Sequence, residues 1–177
     1  MKKNVLIFGS IAGLLLTAMM IFSTVMCYTN PEFEGNETVG YLSMILIFSL
    51  IFVGIKNYRD KYNNGVISFG KAFKTGFLIA LVASTMYTVV WLVDYYVFIP
   101  DFLDKYIANM LRQAQQKGAT AAEMASKTAE MNKFREMYKN PLLVIVITYL
   151  EVLPLGALIA LISAWILRRK QPRPAVA

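Results

Sequence analysis

Apolar residues in this chain come in four long runs. Positions 4–30, 38–55 and 75–93 carry no charge, and the fourth run, 142–167, is interrupted only by Glu151. A helix rises about 1.5 Å per residue, so roughly 20 residues cross a hydrocarbon layer about 30 Å thick. No water reaches backbone groups there, and a helix is the simplest element that satisfies all of them within itself. The pattern predicts an all-α membrane protein with four transmembrane helices, near residues 5–27, 39–55, 75–99 and 141–167. The second run is the shortest and is expected to stand nearly upright.

Residues 100–140 follow a different rule. Phe102, Leu103, Tyr106, Met110 and Leu111 recur on one face of a helix that Gly118 should end. Thr120 and Glu123 have the spacing of a capping box, and Met124, Met131, Phe134 and Tyr138 form the apolar stripe of a second helix. The expectation is a helical hairpin between the third and fourth spans, packed on itself and on the bilayer surface. A sharper reading makes 101–139 a docking surface for a second copy or another protein, with methionines as adaptable contacts.

Charge then orients the spans. Eleven basic residues and one acid, Asp60, lie before the first run, between the second and third, and after the fourth. The remaining loops hold seven basic and eight acidic residues. Basic flanks favour the cytoplasmic side, which puts both termini inside, the basic loop 56–74 and the tail 168–177 in the cytoplasm, and the hairpin outside. The net charge of +7 thus reports topology and attraction to membrane lipid rather than nucleic-acid binding. Lys2 and Lys3 before an apolar stretch also suit a secretory signal. However, Met26 precedes Cys27 where a small residue is needed, and no A-x-A-like site lies nearby.

Composition narrows the chemistry. Of the residues 57% are hydrophobic, there is one cysteine and there is no histidine, so an internal disulfide, the commonest metal ligand and the commonest general base are all missing. No cofactor or metal site is expected, and no enzyme. Gly65, Gly70 and Lys71 imitate a phosphate-binding loop, but Ala72 replaces the hydroxyl residue and a short loop cannot supply the α/β domain around it. The plainer reading has Asn64 and Gly65 in a turn, Ser68 capping a helix, and Phe69 and Phe73 at the interface with Lys71 and Lys74 reaching for head groups. The sequon at Asn36 and the glutamates Glu32, Glu34 and Glu37 indicate a polar, exposed loop.

Two acids lie at membrane depth, where ionisable groups are costly and functional by default. Asp94 is expected near the outer end of its span and Glu151 close to the midplane, buried and uncharged. Pro154 frees the carbonyl of Leu150 as an acceptor for it. Thr148, with Ser84, Tyr87, Thr88 and Trp91 on the third span, completes a candidate polar seam. The seam either stitches a kinked helix to its neighbours or relays a proton or cation. Small residues form two narrow strips, Gly9, Gly13 and Thr17 on the first span and Gly156, Ala160 and Ala164 on the fourth, suited to helix packing within one chain or between copies.

Several stretches resemble a bacterial family of small four-span membrane proteins known as domain of unknown function 4199. They are Gly40-Tyr41-Leu42-Ser43-Met44, Phe52-Val53-Gly54-Ile55-Lys56 with Tyr58-Arg59-Asp60, the run from Ile67 to Lys74, Tyr138-Lys139-Asn140-Pro141, and Leu150-Glu151 with Pro154 and Gly156. The resemblance implies a multi-pass protein of the bacterial inner membrane and brings no catalytic residues. The expectation is a non-catalytic protein acting through protein or lipid contacts. The alternative is a small ion- or proton-coupled carrier with Glu151 as its acid and Asp94 at the outer entrance.

Overall fold

The computed structural model describes residues 1–30 and 37–169. Glu32, Glu34, the sequon's Asn36, the side chain of Glu37, Lys170 and Arg173 lie outside the described residues. The helices are α1 (Lys2–Thr29), α2 (Glu37–Phe48), α3 (Leu50–Tyr62), α4 (Phe69–Val93), α5 (Phe102–Gln116), α6 (Ala121–Tyr138) and α7 (Pro141–Leu167), with a π-helical turn, Asp94–Phe98, continuing α4. Four segments are long and apolar enough to cross a membrane: Lys2–Thr29, Thr38–Tyr62, Phe69–Phe98 and Pro141–Leu167.

Two expected boundaries move. The second span does not stop at residue 55 but runs to Tyr62, across an interruption where the Ser49 hydroxyl donates to the carbonyl of Leu46 at 2.6 Å. Its 25 residues nearly match the 27 of the fourth span, which removes the reason to expect it upright. Likewise α4 begins at Phe69, so the basic loop expected over 56–74 shrinks to the connection 63–68. Charged residues such as Lys56, Arg59 and Lys61 are good helix formers, and they carry a helix past the end of its apolar run.

α4 is the axis of the bundle, with α1 along one side, α7 along another, and α3 against both α4 and α7. Missing side chains set these distances. A Cβ on Gly9 would lie 2.7 Å from Val82, and one on Gly13 2.7 Å from the sulfur of Met86. One on Gly156 would lie 2.8 Å from Ala80, and one on Gly76 2.9 Å from Ala160. Both small-residue strips are therefore used inside one chain. Gly54 and Gly76, which no strip pattern singled out, approach just as closely, with a Cβ on Gly54 only 2.6 Å from Ile79.

The basic end of the bundle is tied by buried polar groups. Asn4 donates to the carbonyl of Gly54 at 2.9 Å, fixing α1 to α3. Arg59, only 8% exposed, forms a two-pronged pair with Asp60 and donates to the carbonyl of Leu167 at 3.3 Å. That carbonyl belongs to the last turn of α7, where no intrahelical donor remains, so Arg59 caps one helix from another. Ile67 and Arg169 exchange two backbone hydrogen bonds beside it. Asn64 and Gly65 both have positive φ, as a primed turn requires, and Ser68 caps α4. Lys71 does not extend toward head groups; it donates to Asn63 at 2.6 Å and lies over the Tyr58 ring.

Candidate functional site

Aromatic and charged side chains gather at the other end, where the spans meet the hairpin. Gly118, with φ of 81°, lets the chain reverse after α5, and α6 opens on the full capping box of Thr120 and Glu123. Arg135 pairs with Asp104 at 2.8 Å, joining α6 to α5. The hairpin is pinned to α1 by Tyr28, whose hydroxyl donates to Asp101 at 2.9 Å while Lys105 sits 3.5 Å over its ring. Tyr96 adds a bond to the carbonyl of Tyr138 at 3.1 Å.

Between hairpin and bundle lies a cluster of rings. Trp91 meets Phe102 edge-on with centroids 5.5 Å apart, Tyr95 meets Tyr138 at 5.3 Å, and Phe134 lies 4.5 Å from Tyr138. The π turn contributes to this. Its bond from Ile99 N–H to the carbonyl of Asp94, at 2.9 Å, spans one residue more than an α-helical bond and changes the angle at which later side chains leave the helix. Tyr95 is buried and Tyr96 exposed.

Trp91 is the wall between two crevices. On the hairpin side, Trp91, Phe102, Tyr106, Met131, Phe134 and Tyr138 line a cavity of about 390 Å³, with Lys127 and Glu130 also on its lining. On the bundle side, Trp91, Tyr87, Thr148, Met19 and Met44 line one of about 210 Å³. A hollow at the hairpin tip, beside Gly118 and Lys117, has no aromatic wall. Among the described residues no three His, Cys, Asp or Glu side chains gather as a metal site would need.

The electrostatics outside the spans follow from these contacts. Asp101 is held below the usual carboxylate range, first by the hydrogen bond from Tyr28 and then by Lys105. Glu123 is lowered by the backbone N–H of Thr120 and then by its hydroxyl. Burial pushes the Tyr138 phenol up to about 12, with a hydrogen bond from Trp91 opposing.

The residues expected to form a seam divide. Tyr87, Trp91 and Thr148 share the bundle-side crevice, while Thr148 donates to its own helix at Val144. Ser84 and Thr88 are buried with hydroxyls that meet no partner, as does Thr17. Asp94 is half-buried in the π turn and lines neither crevice. Glu151 was expected inside the bundle, but its side chain is exposed on the outer surface of α7, as is Pro154. The reason is rotation: α7 turns Thr148, Val152 and Gly156 toward its neighbours, which leaves position 151 at the edge of that face. The contact of Tyr28 with Asp101 and Lys105 had no sequence signal, since Tyr28 comes from a helix distant in the chain.

The profile of one family matches residues 7–169, from the first span to the last. The chain belongs to that family, described as Protein of unknown function (DUF4199). Comparisons with curated proteins and with solved structures found no match. Family membership bears out the resemblance seen in the sequence, and the four membrane-compatible helices agree with it. The family description assigns no activity, so a functional reading has to come from the site.

Proposed function

We propose that this protein is a non-catalytic multi-pass protein of a bacterial inner membrane that works by contact, and that the hairpin crevice receives the apolar chain of a lipid. The charge asymmetry of the connecting segments supports an inside position for both termini and an outside position for the hairpin. One observation carries the reading: a cavity of about 390 Å³, walled by five rings and Met131, opens where Trp91, in the last turn of α4, meets the hairpin and Tyr138 ends α6 just before α7. This volume falls within the range of roughly 300–1,000 Å³ typical of small-molecule sites. Its position beside the bilayer surface makes acyl chains the nearest apolar occupant. Lys127 and Glu130 supply polar contacts for a head group.

Native mass spectrometry from mild detergent tests this. The unaltered chain should retain a bound lipid, and Met131→Trp, which fills the cavity, should release it. Equal retention by both, or a photocrosslinker at position 131 that labels protein and no lipid, overturns the proposal.

A second reading has its own support. Three buried hydroxyls, of Thr17, Ser84 and Thr88, lack partners within the spans, and polar groups at membrane depth are a mark of ion pathways. A proton-coupled carrier would use Glu151. Proteoliposomes carrying the unaltered protein should then show pH-driven flux that Glu151→Gln abolishes; equal flux, or none in either, removes this reading.

A further inference from the structure

We infer that the hairpin crevice and the hollow at the hairpin tip form one lane for a phospholipid with a single acyl chain, its tail toward the bundle and its phosphate at Lys127. The inference rests on the reading that the crevice takes an apolar chain, and it adds which amphiphile enters and in which direction. Its ground is one face of α6. Tyr138, Phe134, Met131, Glu130, Lys127 and Glu123 all lie on this helix, and at 3.6 residues per turn their positions fall within about 100° of one another around its axis. The first five line the crevice. Lys127 also lines the tip hollow, of about 550 Å³, beside Glu123 and Ser126, so the two spaces meet at its side chain.

Along this face the chemistry changes in a fixed order, from rings and a thioether at the base to a carboxylate, an ammonium and a second carboxylate toward the tip. A single-chain glycerophospholipid with an amine in its head group has the complementary order. Its tail meets the rings, its glycerol hydroxyl donates to Glu130, its phosphate accepts from Lys127 and its ammonium donates to Glu123. Glu123 keeps capacity for this, since its bonds from the Thr120 N–H and hydroxyl both end on Oε2.

Length and volume agree with one chain. A hydrocarbon core about 30 Å thick holds two chains end to end, so each spans roughly 15 Å. Tyr138 and Lys127 stand eleven residues apart on α6, roughly 16 Å along the helix. The crevice, at about 390 Å³, lies near the lower end of the roughly 300–1,000 Å³ of small-molecule sites. A second chain finds no apolar lane beyond it, because Lys117, Glu123, Ser126 and Lys127 line the hollow that follows.

Native mass spectrometry of the full chain in mild detergent tests this by titration with three lipids of equal chain length. They are lysophosphatidylethanolamine, diacyl phosphatidylethanolamine and a monoacylglycerol, which lacks the phosphate. The first should bind about tenfold tighter than the diacyl lipid and about three- to tenfold tighter than the monoacylglycerol. Lys127→Gln, on an exposed position of α6, should erase the preference for phosphate and hold monoacylglycerol binding within about twofold, and Lys127→Arg should keep the preference. A photoreactive side chain at position 126 should label the head group, and one at 131 the acyl chain. Equal affinity for one-chain and two-chain lipids, an undiminished phosphate preference in Lys127→Gln, or an acyl chain captured at 126 overturns the inference and leaves the crevice a lipid site. Retention of none of the three lipids removes the crevice reading and this inference with it.

Discussion

The seams along α4 and the crevice under the hairpin are both made where helices meet, yet one is closed and the other open. Along α4 the helices are held together by what is absent: a Cβ at Gly9, Gly13, Gly54, Gly76 or Gly156 would come within 2.6–2.8 Å of a neighbour. Under the hairpin, rings of Trp91, Phe102, Phe134 and Tyr138 frame about 390 Å³. Small residues bring backbones close and exclude any guest. Rings meeting edge-on prop helices apart and leave space between them. The bundle is thus suited to be scaffold and the hairpin to be the part that receives something.

The largest effect that tests this contrast belongs to the bundle. Gly76→Val places methyl groups against Ile55, Ala160 and Ile51, all within 3 Å of the first added carbon, and should cost about 3 kcal/mol as overpacking. Detergent-solubilised protein followed by thermal unfolding measures it, and a loss below 1 kcal/mol would show the seam to be looser than drawn.

Arg59→Ala comes next, at about 2 kcal/mol, because it leaves the Leu167 carbonyl and the Asp60 carboxylate without their charged donor. Hydrogen exchange should rise in the last turn of α7 and leave α5 and α6 unchanged. Spread of the effect into the hairpin would break the division between the two regions.

Thr120→Ala removes the N-cap of α6 and should cost about 1 kcal/mol, confined to the hairpin. Glu123 sharpens the same point. Its carboxyl is lowered in the folded chain, so its contribution is present above the ordinary range near about pH 4.3 and is lost as pH falls through the depressed value. In Thr120→Ala that acid dependence should shrink, as a pH series of exchange rates would reveal.

The smallest effect at neutral pH is expected from Tyr138. An unfolded phenol ionises near 10, while the folded one stays protonated to about 12. Its contribution is complete below about pH 10 and fades as pH rises toward about 12. Tyr138→Phe should flatten the alkaline limb of the stability curve, and an unchanged limb would mean that the ring is less enclosed than its 8% exposure implies.

What could be read before folding was local. The apolar runs, the Asn64–Gly65 turn, the Ser68 cap and the Thr120–Glu123 box each depend on residues within a few positions of one another, and each is present in the structure. The polar seam was legible only in part. Tyr87, Trp91 and Thr148 do share a crevice, but hydropathy gives a residue's depth and not the direction in which it points. Glu151 lies within a span, but at the exposed edge of its packed face. Arg59 looked like one more charge beside a span, and its use as a cap on α7 needed the two helix ends side by side.

By itself the sequence determined that four segments are long and apolar enough to cross a membrane, and where the caps of α4 and α6 fall, because those properties follow from apolar length and local backbone hydrogen bonding. Only the tertiary structure decided how each helix is rotated. Rotation follows from the closest approach of backbones at Gly13, Gly54, Gly76 and Gly156, and that approach joins residues far apart in the chain. With it came the enclosure of Trp91 between two crevices and the outward turn of Glu151.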